Sequence, residues 1–157
     1  MTTTVHASAV LAGARAVLIR GPSGSGKSRL ALAVIEAARA GRLPFARLVA
    51  DDRAHLSPAS GRLLVRPAAA LAGLIEMRGI GIVRIAHESC AVVGIVVDLG
   101  AGAERMPAAE QQHAVIEGIT LPRLAVAAAE DALPPLITLL TCSAEAFSQP
   151  LDTVLGN

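Results

Sequence analysis

Short apolar segments separated by glycine-containing turns dominate the pattern of this chain. Most of these segments alternate or are rich in β-branched residues, which is typical of strands. Turns at Ala12-Gly13-Ala14 and Ala59-Ser60-Gly61 join four of the segments into two predicted hairpins. The predicted strands lie at residues 4–11, 15–20, 47–50, 54–58, 62–66, 79–85, 89–98 and, as one or two short strands, within 116–126.

Three segments have the composition of helices. Residues 29–40 are rich in Ala and Leu and apolar nearly all round, which predicts a buried helix. A brief helix is predicted from Pro67 to Ile75, and a last one from about residue 131 to residue 146, where Pro134 and Pro135 suit a first turn. Many hairpins and few helices argue against a regular Rossmann alternation and predict an α/β domain with a mixed sheet.

The composition limits the function classes. With 157 residues the chain is expected to form one domain, and a formal charge of +1 without basic runs gives no basis for a nucleic-acid partner. The only aromatic residues are Phe45 and Phe147. A mean hydropathy of +0.55 is high for so small a domain, so we expect a sheet buried on both faces and apolar surface covered by other subunits.

The apolar runs are too short to cross a membrane, and the first residues lack the pattern of a signal peptide. We therefore expect a cytoplasmic protein with no membrane partner. Cys90 and Cys142 lack the spacing of metal ligands and are interpreted as small buried residues without a disulfide.

The sequence Gly-Pro-Ser-Gly-Ser-Gly-Lys-Ser fits the pattern of a phosphate-binding loop, between a predicted strand and a predicted helix. Its glycines let backbone N–H groups turn toward phosphate oxygens, Lys27 supplies a positive charge, and the Ser28 hydroxyl can bind Mg²⁺. A glycine turn that only caps the helix is the alternative. The predicted nucleotide-binding residues are Gly21, Pro22, Ser23, Gly24, Ser25, Gly26, Lys27 and Ser28.

Two further segments place charge beside predicted strands. Asp51 and Asp52 follow the strand at 47–50, where neighbouring side chains point in opposite directions, so that one can serve a metal and the other can take a proton. The alternative is a solvated turn. In Glu76-Met-Arg-Gly-Ile-Gly-Ile82 a carboxylate and a guanidinium precede two glycines, and a helix end followed by a strand explains this segment about as well.

Together these segments resemble the HPr kinase/phosphorylase family. The resemblance covers most of the chain, from His6 to about Leu140. The phosphate loop is generic, whereas Glu-x-Arg-Gly-x-Gly-Ile after such a loop and an Ala-Asp-Asp turn is close to diagnostic. The matching segments are Val5-His6, Gly21 to Ser28, Leu48 to Arg53, Glu76 to Ile82 and Glu104-Arg105-Met106.

The resemblance implies an enzyme that uses ATP to phosphorylate a serine of an HPr-like phosphocarrier protein and that also removes the phosphate by phosphorolysis. It implies a phosphoenolpyruvate-carboxykinase-like P-loop domain over residues 1–157, without the separate N-terminal domain of longer members, assembled as a homohexamer. By resemblance, His6, Lys27, Asp52 and Arg105 match the catalytic set, Ser28 and Glu76 match the Mg²⁺ ligands, and Asp51 lies in the outer shell of the metal.

Without the resemblance, His6 is interpreted as a hydrogen-bonded core residue and Arg105 as a solvated loop residue. Two departures from the family pattern are visible. Arg29 replaces the acidic residue that often follows the loop, and the segment after Pro122 lacks the Gly, Arg and Asn associated with dephosphorylation. The sequence therefore supports kinase activity more strongly than phosphorylase activity. The alternatives are a P-loop kinase for a small molecule and a nucleotide-sensing module without catalysis.

The apolar composition predicts that the protein self-associates, and the resemblance makes six subunits the expected number. Light scattering of the purified protein at micromolar concentration should give the mass of a hexamer. A stable monomer under these conditions would contradict the prediction.

Overall fold

The computed structural model describes residues 2–102 and 107–142, and within them a nine-stranded mixed sheet and a two-stranded sheet. The helices in these ranges are α1, Lys27–Arg39, and α2, Leu133–Thr141. Short 3₁₀ turns lie at Ala69–Leu71 and Ala109–Gln112. In chain order, the strands are β1 Thr3–Val5, β2 Ala7–Ala12, β3 Arg15–Arg20, β4 Ala46–Ala50, β5 Ala54–Ala59, β6 Arg62–Pro67, β7 Leu74–Met77, β8 Gly81–Arg84, β9 Ala91–Leu99, β10 His113–Ile116 and β11 Ile119–Val126.

Strand β9 lies at the centre of the large sheet. It pairs in parallel with β3 on one side, and on the other side it pairs in parallel with β11 and antiparallel with β6. Its sequence is an almost unbroken apolar run, which is typical of a strand that is buried on both faces. Because β3 lies between β9 and β2, the phosphate-loop segment leaves the sheet from an inner strand. The prediction of a mixed α/β sheet is confirmed.

Both predicted hairpins are present. Gly13 has a φ of 66° in the turn between β2 and β3, and Ser60 and Gly61 have φ values of 51° and 76° in the turn between β5 and β6. Two successive positive φ angles are typical of the tight turn that fits the right-handed twist of paired strands. The predicted strand at 4–11 is divided at His6, because β1 pairs with β5 while β2 pairs with β3 and β4.

The sheet is covered by apolar side chains on both faces. One cluster packs α1 and α2 against the sheet, and its members from α1 include Leu30, Val34 and Ile35. A second cluster on the other face joins residues of β2 to β6 with residues of β9 to β11. Each fully buried Leu, Ile or Val side chain stabilises the fold by about 1.5–3 kcal/mol relative to exposure. The prediction of burial on both faces is confirmed, as is that of a largely buried α1.

Two predictions were wrong. Residues 67–75 do not form a helix, because Pro67 ends β6 and only a short 3₁₀ turn separates it from β7. Gly73 has a φ of 76°, and a Cβ there would lie 2.6 Å from the Nδ1 atom of His87, so a close tertiary contact replaces the helix that the Ala and Leu residues favour. Cys90 is half-buried and Cys142 is exposed, and both are free thiols rather than buried core residues.

The last predicted helix is present as α2, with Pro134 and Pro135 in its first turn, and residues 143–146 of that prediction lie outside the described residues. Across residues 2–102 and 107–142, every helix is too short or too polar to cross a membrane.

Candidate active site

The candidate site lies where β3 and β4 end and β2 begins. The connection between β3 and α1 is the predicted phosphate loop, residues 21–26, and the Asp51-Asp52 pair follows β4 directly. In α/β sheets with parallel strands, ligands bind at the carboxyl ends of the strands, which is the end where these segments meet.

The loop has the backbone conformation that its glycines permit. Gly24 and Gly26 have φ values of 80° and 98°, which side chains disfavour, and the Ser25 N–H donates to the Pro22 carbonyl at 3.0 Å. A Cβ on Gly21 would lie 2.9 Å from the carbonyl oxygen of Leu99, so only glycine fits the first position. Because α1 begins at Lys27, the N–H groups of its first turn have no partner within the helix and can bind an anion.

Two polar side chains of the loop region complete this anion-binding geometry. The Lys27 ammonium donates to the carbonyl oxygens of Gly21 and Pro22 at 2.9 and 3.0 Å, so its charge lies at the start of the loop. The Ser25 hydroxyl oxygen is buried and has no hydrogen-bond partner among the described residues. A buried hydroxyl without a protein partner fits an external acceptor such as a phosphate oxygen.

Asp51 is a buried carboxylate, 7% exposed, that is hydrogen-bonded to three elements. Its Oδ1 accepts from the Ser8 hydroxyl of β2 at 2.7 Å and from the Ser28 hydroxyl of α1 at 2.6 Å. Its Oδ2 accepts from the backbone N–H of Glu76 in β7 at 3.3 Å. The interpretation of Asp51 as part of a solvated turn is therefore wrong.

Asp52, in contrast to Asp51, is exposed. Its φ of 64° and the 2.7 Å hydrogen bond from the Arg53 N–H to the Asp51 carbonyl are the features of a γ-turn centred on Asp52. A positive φ is costly for a residue other than glycine, and such residues cluster at functional sites. The turn thus separates two adjacent carboxylates, one inside the protein and one at the surface.

His6 lies at the same end of the sheet. Val5 pairs with Ala54 and Ala7 pairs with Arg20, so His6 lies between the start of the phosphate loop and the segment after Asp52. The His6 side chain is exposed, and the alternative of a core histidine is wrong.

The other predicted site residues stand as follows. Glu76 contacts Asp51 through its backbone while its side chain is exposed, and it belongs to a strand rather than to a helix end. Arg105 lies outside the described residues. Among the residues described, no three His, Cys, Asp or Glu side chains form a cluster that could hold a metal. The structure thus brings Ser28, Asp51 and the backbone of Glu76 together, and the roles assigned to them stay predictions.

Comparison with known proteins identifies the family of this site. The sequence model of the HPr Serine kinase C-terminal domain matches residues 1–92, which hold the phosphate loop, the Asp51-Asp52 pair and the hairpin of β7 and β8. The chain belongs to this family. The resemblance inferred from the sequence motifs is confirmed.

Curated relatives and a solved structure extend the comparison to most of the family fold. The HPr kinase/phosphorylases of three strains of Streptococcus thermophilus are each 39% identical over 84 residues, which is 53% of this chain and 25% of the relative. The chain therefore spans about a quarter of the length of these relatives. The structure of the Hpr(Ser) kinase/phosphatase from Coxiella burnetii is 27% identical, with a TM-score of 0.69 over 89% of this chain and 94% of the other. The predicted phosphoenolpyruvate-carboxykinase-like P-loop fold agrees with this family.

The motifs of the family did not reveal two features of the site. Ser8 is one, and its signal is a hydroxyl within the otherwise apolar strand β2. The other is an ionic cluster at the ends of the parallel strands, whose signal is a charge that closes the apolar run of β9. Arg20 donates to both oxygens of Asp98, at 2.7 and 2.8 Å, and Arg123 donates to Asp98 and to the Gln111 carbonyl.

This cluster joins three strands, because Arg20 lies in β3, which carries the phosphate loop, Asp98 lies in the neighbouring β9, and Arg123 lies in β11 on the far side of β9. Burial by itself would raise the pKa of Asp98, but hydrogen bonds and positive charge from Arg20 and Arg123 outweigh it and hold that pKa below its ordinary value. The hydrogen bond to Asp98 raises the pKa of Arg20.

Asp98→Asn should lower the free energy of unfolding by about 2 kcal/mol at neutral pH, because it leaves two partly buried guanidinium groups without their carboxylate. A pKa that is depressed in the folded state stabilises the fold above the ordinary value of 3.8, and this stabilisation is lost as the pH falls through the lower folded value. The wild type should therefore lose stability more steeply below about pH 4 than Asp98→Asn does.

Denaturant unfolding at neutral pH and through the acid range measures both effects. Glu36→Gln is the matched control, because it removes the exposed ion pair with Arg39 on α1 and should change stability by less than about 0.5 kcal/mol. Equal acid sensitivity of the wild type and Asp98→Asn would contradict the prediction.

Proposed function

We propose that this protein is an ATP-dependent protein serine kinase that phosphorylates an HPr-like phosphocarrier protein, with phosphorolysis of the product as a secondary activity. One observation carries the proposal. The hydroxyl of Ser28 at the end of the phosphate loop is hydrogen-bonded to the buried carboxylate of Asp51, and the next residue, Asp52, presents an exposed carboxylate. A site of this kind combines phosphate binding with a group that can take the proton of an incoming hydroxyl.

The nucleotide is proposed to bind at the loop. The glycine conformations, the first-turn N–H groups of α1, the Ser25 hydroxyl and the Lys27 ammonium are all suited to phosphate oxygens. None of these groups distinguishes ATP from another nucleoside triphosphate, and ATP is proposed because the family's kinases use it.

The metal is proposed to be Mg²⁺, and the donors present fit that ion. Ser28, Asp51 and Glu76 offer only oxygen atoms, and Mg²⁺ in nucleotide sites is usually held by one or two carboxylates together with the phosphates rather than by a cage of protein ligands. The Ser28 hydroxyl and the Glu76 carboxylate are therefore proposed to contact the ion, with Asp51 in its outer shell. When bound, the ion supplies positive charge that neutralises the phosphate oxygens.

Asp52 is proposed to take the proton during transfer. The seryl oxygen forms a bond to the γ-phosphorus, the bond from that phosphorus to the bridging oxygen breaks with its electrons leaving on ADP, and the seryl proton passes to Asp52. The γ-turn supports this role because it keeps the carboxylate at the surface, where a protein substrate can reach it. His6 and Arg105 are proposed as further catalytic residues, on the family motif and, for His6, on its place at the same end of the sheet.

The assembly and the setting belong to the proposal as well. Ile80 and Ile82 are 70% and 72% exposed on the hairpin of β7 and β8, which agrees with apolar surface that other subunits cover. We propose a homohexamer that works in the cytoplasm, where ATP and phosphocarrier proteins are present.

Incubation with labelled ATP, Mg²⁺ and the HPr-type proteins of the source organism should transfer label to a serine of one of them. Lys27→Ala should abolish this transfer, because it removes the positive charge that would bind the phosphates. The fold should stay intact, because Lys27 follows the glycine loop and is not part of the apolar core. Arg62→Ala is the control, since Arg62 is an exposed cation at the start of β6, and it should keep full activity. Binding of nucleotide without transfer would favour the sensing module, and transfer to a metabolite alone would favour a small-molecule kinase.

Asp52→Asn and Asp51→Asn should have different effects. Asn tolerates the positive φ of the γ-turn, so Asp52→Asn should keep the fold and nucleotide binding while kinase turnover falls by about 10² to 10⁴. Asp51→Asn replaces one carboxylate oxygen by an NH₂ group, which cannot accept a hydrogen bond from the donors around it. This substitution should therefore weaken the apparent Mg²⁺ affinity and lower the free energy of unfolding by about 1–3 kcal/mol.

Turnover, Mg²⁺ titration and thermal unfolding of both variants, measured in parallel, test this division. Near-normal turnover of Asp52→Asn at saturating Mg²⁺ would show that Asp52 is not the base. If the two variants gave the same turnover, Mg²⁺ dependence and thermal unfolding, Asp51 and Asp52 would instead form a shared metal-binding turn.

A further inference from the structure

Ser8 is a fully buried hydroxyl, 0% exposed, in a strand whose other side chains are apolar. Burying a hydroxyl without a partner is unfavourable, so its position needs an explanation in hydrogen bonding. Within residues 2–102 and 107–142, the polar or charged residues that are buried as whole residues are Ser8 and Asp51, and their side chains are hydrogen-bonded to each other at 2.7 Å.

A shift in strand register creates this contact. Between β2 and β4 the ladder pairs Val10 with Leu48 but Ala9 with Ala50, so β4 contains one extra residue at Val49. If the pairing of Ala9 with Ala50 is extended by one residue in the same register, Ser8 of β2 lies opposite Asp51. Without the bulge, Ala7 would take that place, because a one-residue shift exchanges the faces on which side chains lie.

The Ser8 hydroxyl and the Ser28 hydroxyl converge on the same oxygen of Asp51, from β2 and from α1. An ionised carboxylate only accepts hydrogen bonds, so both hydroxyls donate to it. The proton of Ser28 is then directed at Asp51, and the remaining lone pairs of the Ser28 oxygen face away from Asp51. Lone pairs directed in this way are what a cation-binding hydroxyl requires.

We propose that Ser8 is a positioning residue for the metal end of the nucleotide site, acting through Asp51 on the Ser28 hydroxyl. The inference rests on the Mg²⁺-nucleotide binding of the proposed function and not on the identity of the phosphate acceptor. Groups that orient a metal ligand from behind typically affect metal affinity by 10–100-fold. Ser8 therefore sets how tightly Mg²⁺ binds together with the nucleotide.

Three substitutions at Ser8 separate its hydroxyl from its volume. Ser8→Ala removes the donor, Ser8→Cys keeps a similar shape with a weak donor, and Ser8→Thr keeps the hydroxyl. Ser57→Ala is the matched control, because Ser57 is a strand serine whose hydroxyl contacts Arg66 rather than the site.

Calorimetric titration of ADP at stepped Mg²⁺ concentrations, together with thermal unfolding in the same buffers, measures the effect without any phosphate acceptor. We expect the Mg²⁺ concentration for half-maximal enhancement of binding to rise by about 10–100-fold in Ser8→Ala, less in Ser8→Cys and by less than about threefold in Ser8→Thr. Metal-free ADP affinity should stay within about twofold of wild type in all of them, because the loop amides and Lys27 are unchanged.

An unchanged Mg²⁺ dependence in Ser8→Ala and Ser8→Cys, even with lowered thermal stability, would overturn the proposal and leave Ser8 a purely structural residue. If Ser8→Ala does not fold, the comparison of Ser8→Cys with Ser8→Thr decides in the same way. A wild type that binds no nucleotide would overturn the proposed function and this inference together, whereas normal wild-type binding with unaffected variants overturns the inference alone.

Discussion

A carboxylate that is withdrawn from water needs hydrogen-bond donors from the protein, and the burial of Asp51 imposes this requirement on three elements at once. Strand β2 supplies the Ser8 hydroxyl, helix α1 supplies the Ser28 hydroxyl and strand β7 supplies a backbone N–H. The hydrogen bond that each element donates to the Asp51 carboxylate holds that element near it. The start of α1 is therefore fixed to the end of β4 by a polar contact as well as by the apolar packing of its buried face.

The sheet provides the framework for this contact. Strand β9 is buried on both faces and aligns β3 and β11 in parallel, so the carboxyl ends of the three strands meet at one edge. Asp98 binds arginines from both neighbours at that edge, which fixes the strand that leads into the phosphate loop. The loop thus lies between two carboxylate-centred clusters, one at each side of β3.

Local signals were sufficient where structure depends on neighbouring residues. The loop between β3 and α1, the two hairpins and the helix after the loop follow from glycine spacing and apolar pattern, and their positions were predicted correctly. The family was predicted from motifs that extend from Val5 to Met106. The helix predicted up to Ile75 failed because a close contact between Gly73 and His87, distant in sequence, overrides the helical preference of Ala and Leu.

The parts of the site that could not be predicted depend on strand register. Nothing near Ser8 in the sequence shows that a bulge at Val49 places it beside Asp51. Likewise, Asp98 and Arg123 are 25 residues apart, and their contact follows only from the parallel pairing of β9 with β11. Side-chain exposure was also missed at His6 and at both cysteines, because a strand or helix pattern alone does not show which end of an element leaves the core.

The close contact at Gly21 has a consequence for how this chain can vary. A Cβ there would lie 2.9 Å from the carbonyl oxygen of Leu99, and one on Gly100 would be in ordinary contact with the ring of Pro22 at 3.5 Å, so the start of the loop packs directly against the end of β9. Insertions or deletions that moved Leu99 or Gly100 would displace the loop itself. We therefore expect insertions and deletions on this side of the site only after Gly100. The number of residues from β9 to Gly100 should stay constant, whatever the length of the segment that follows.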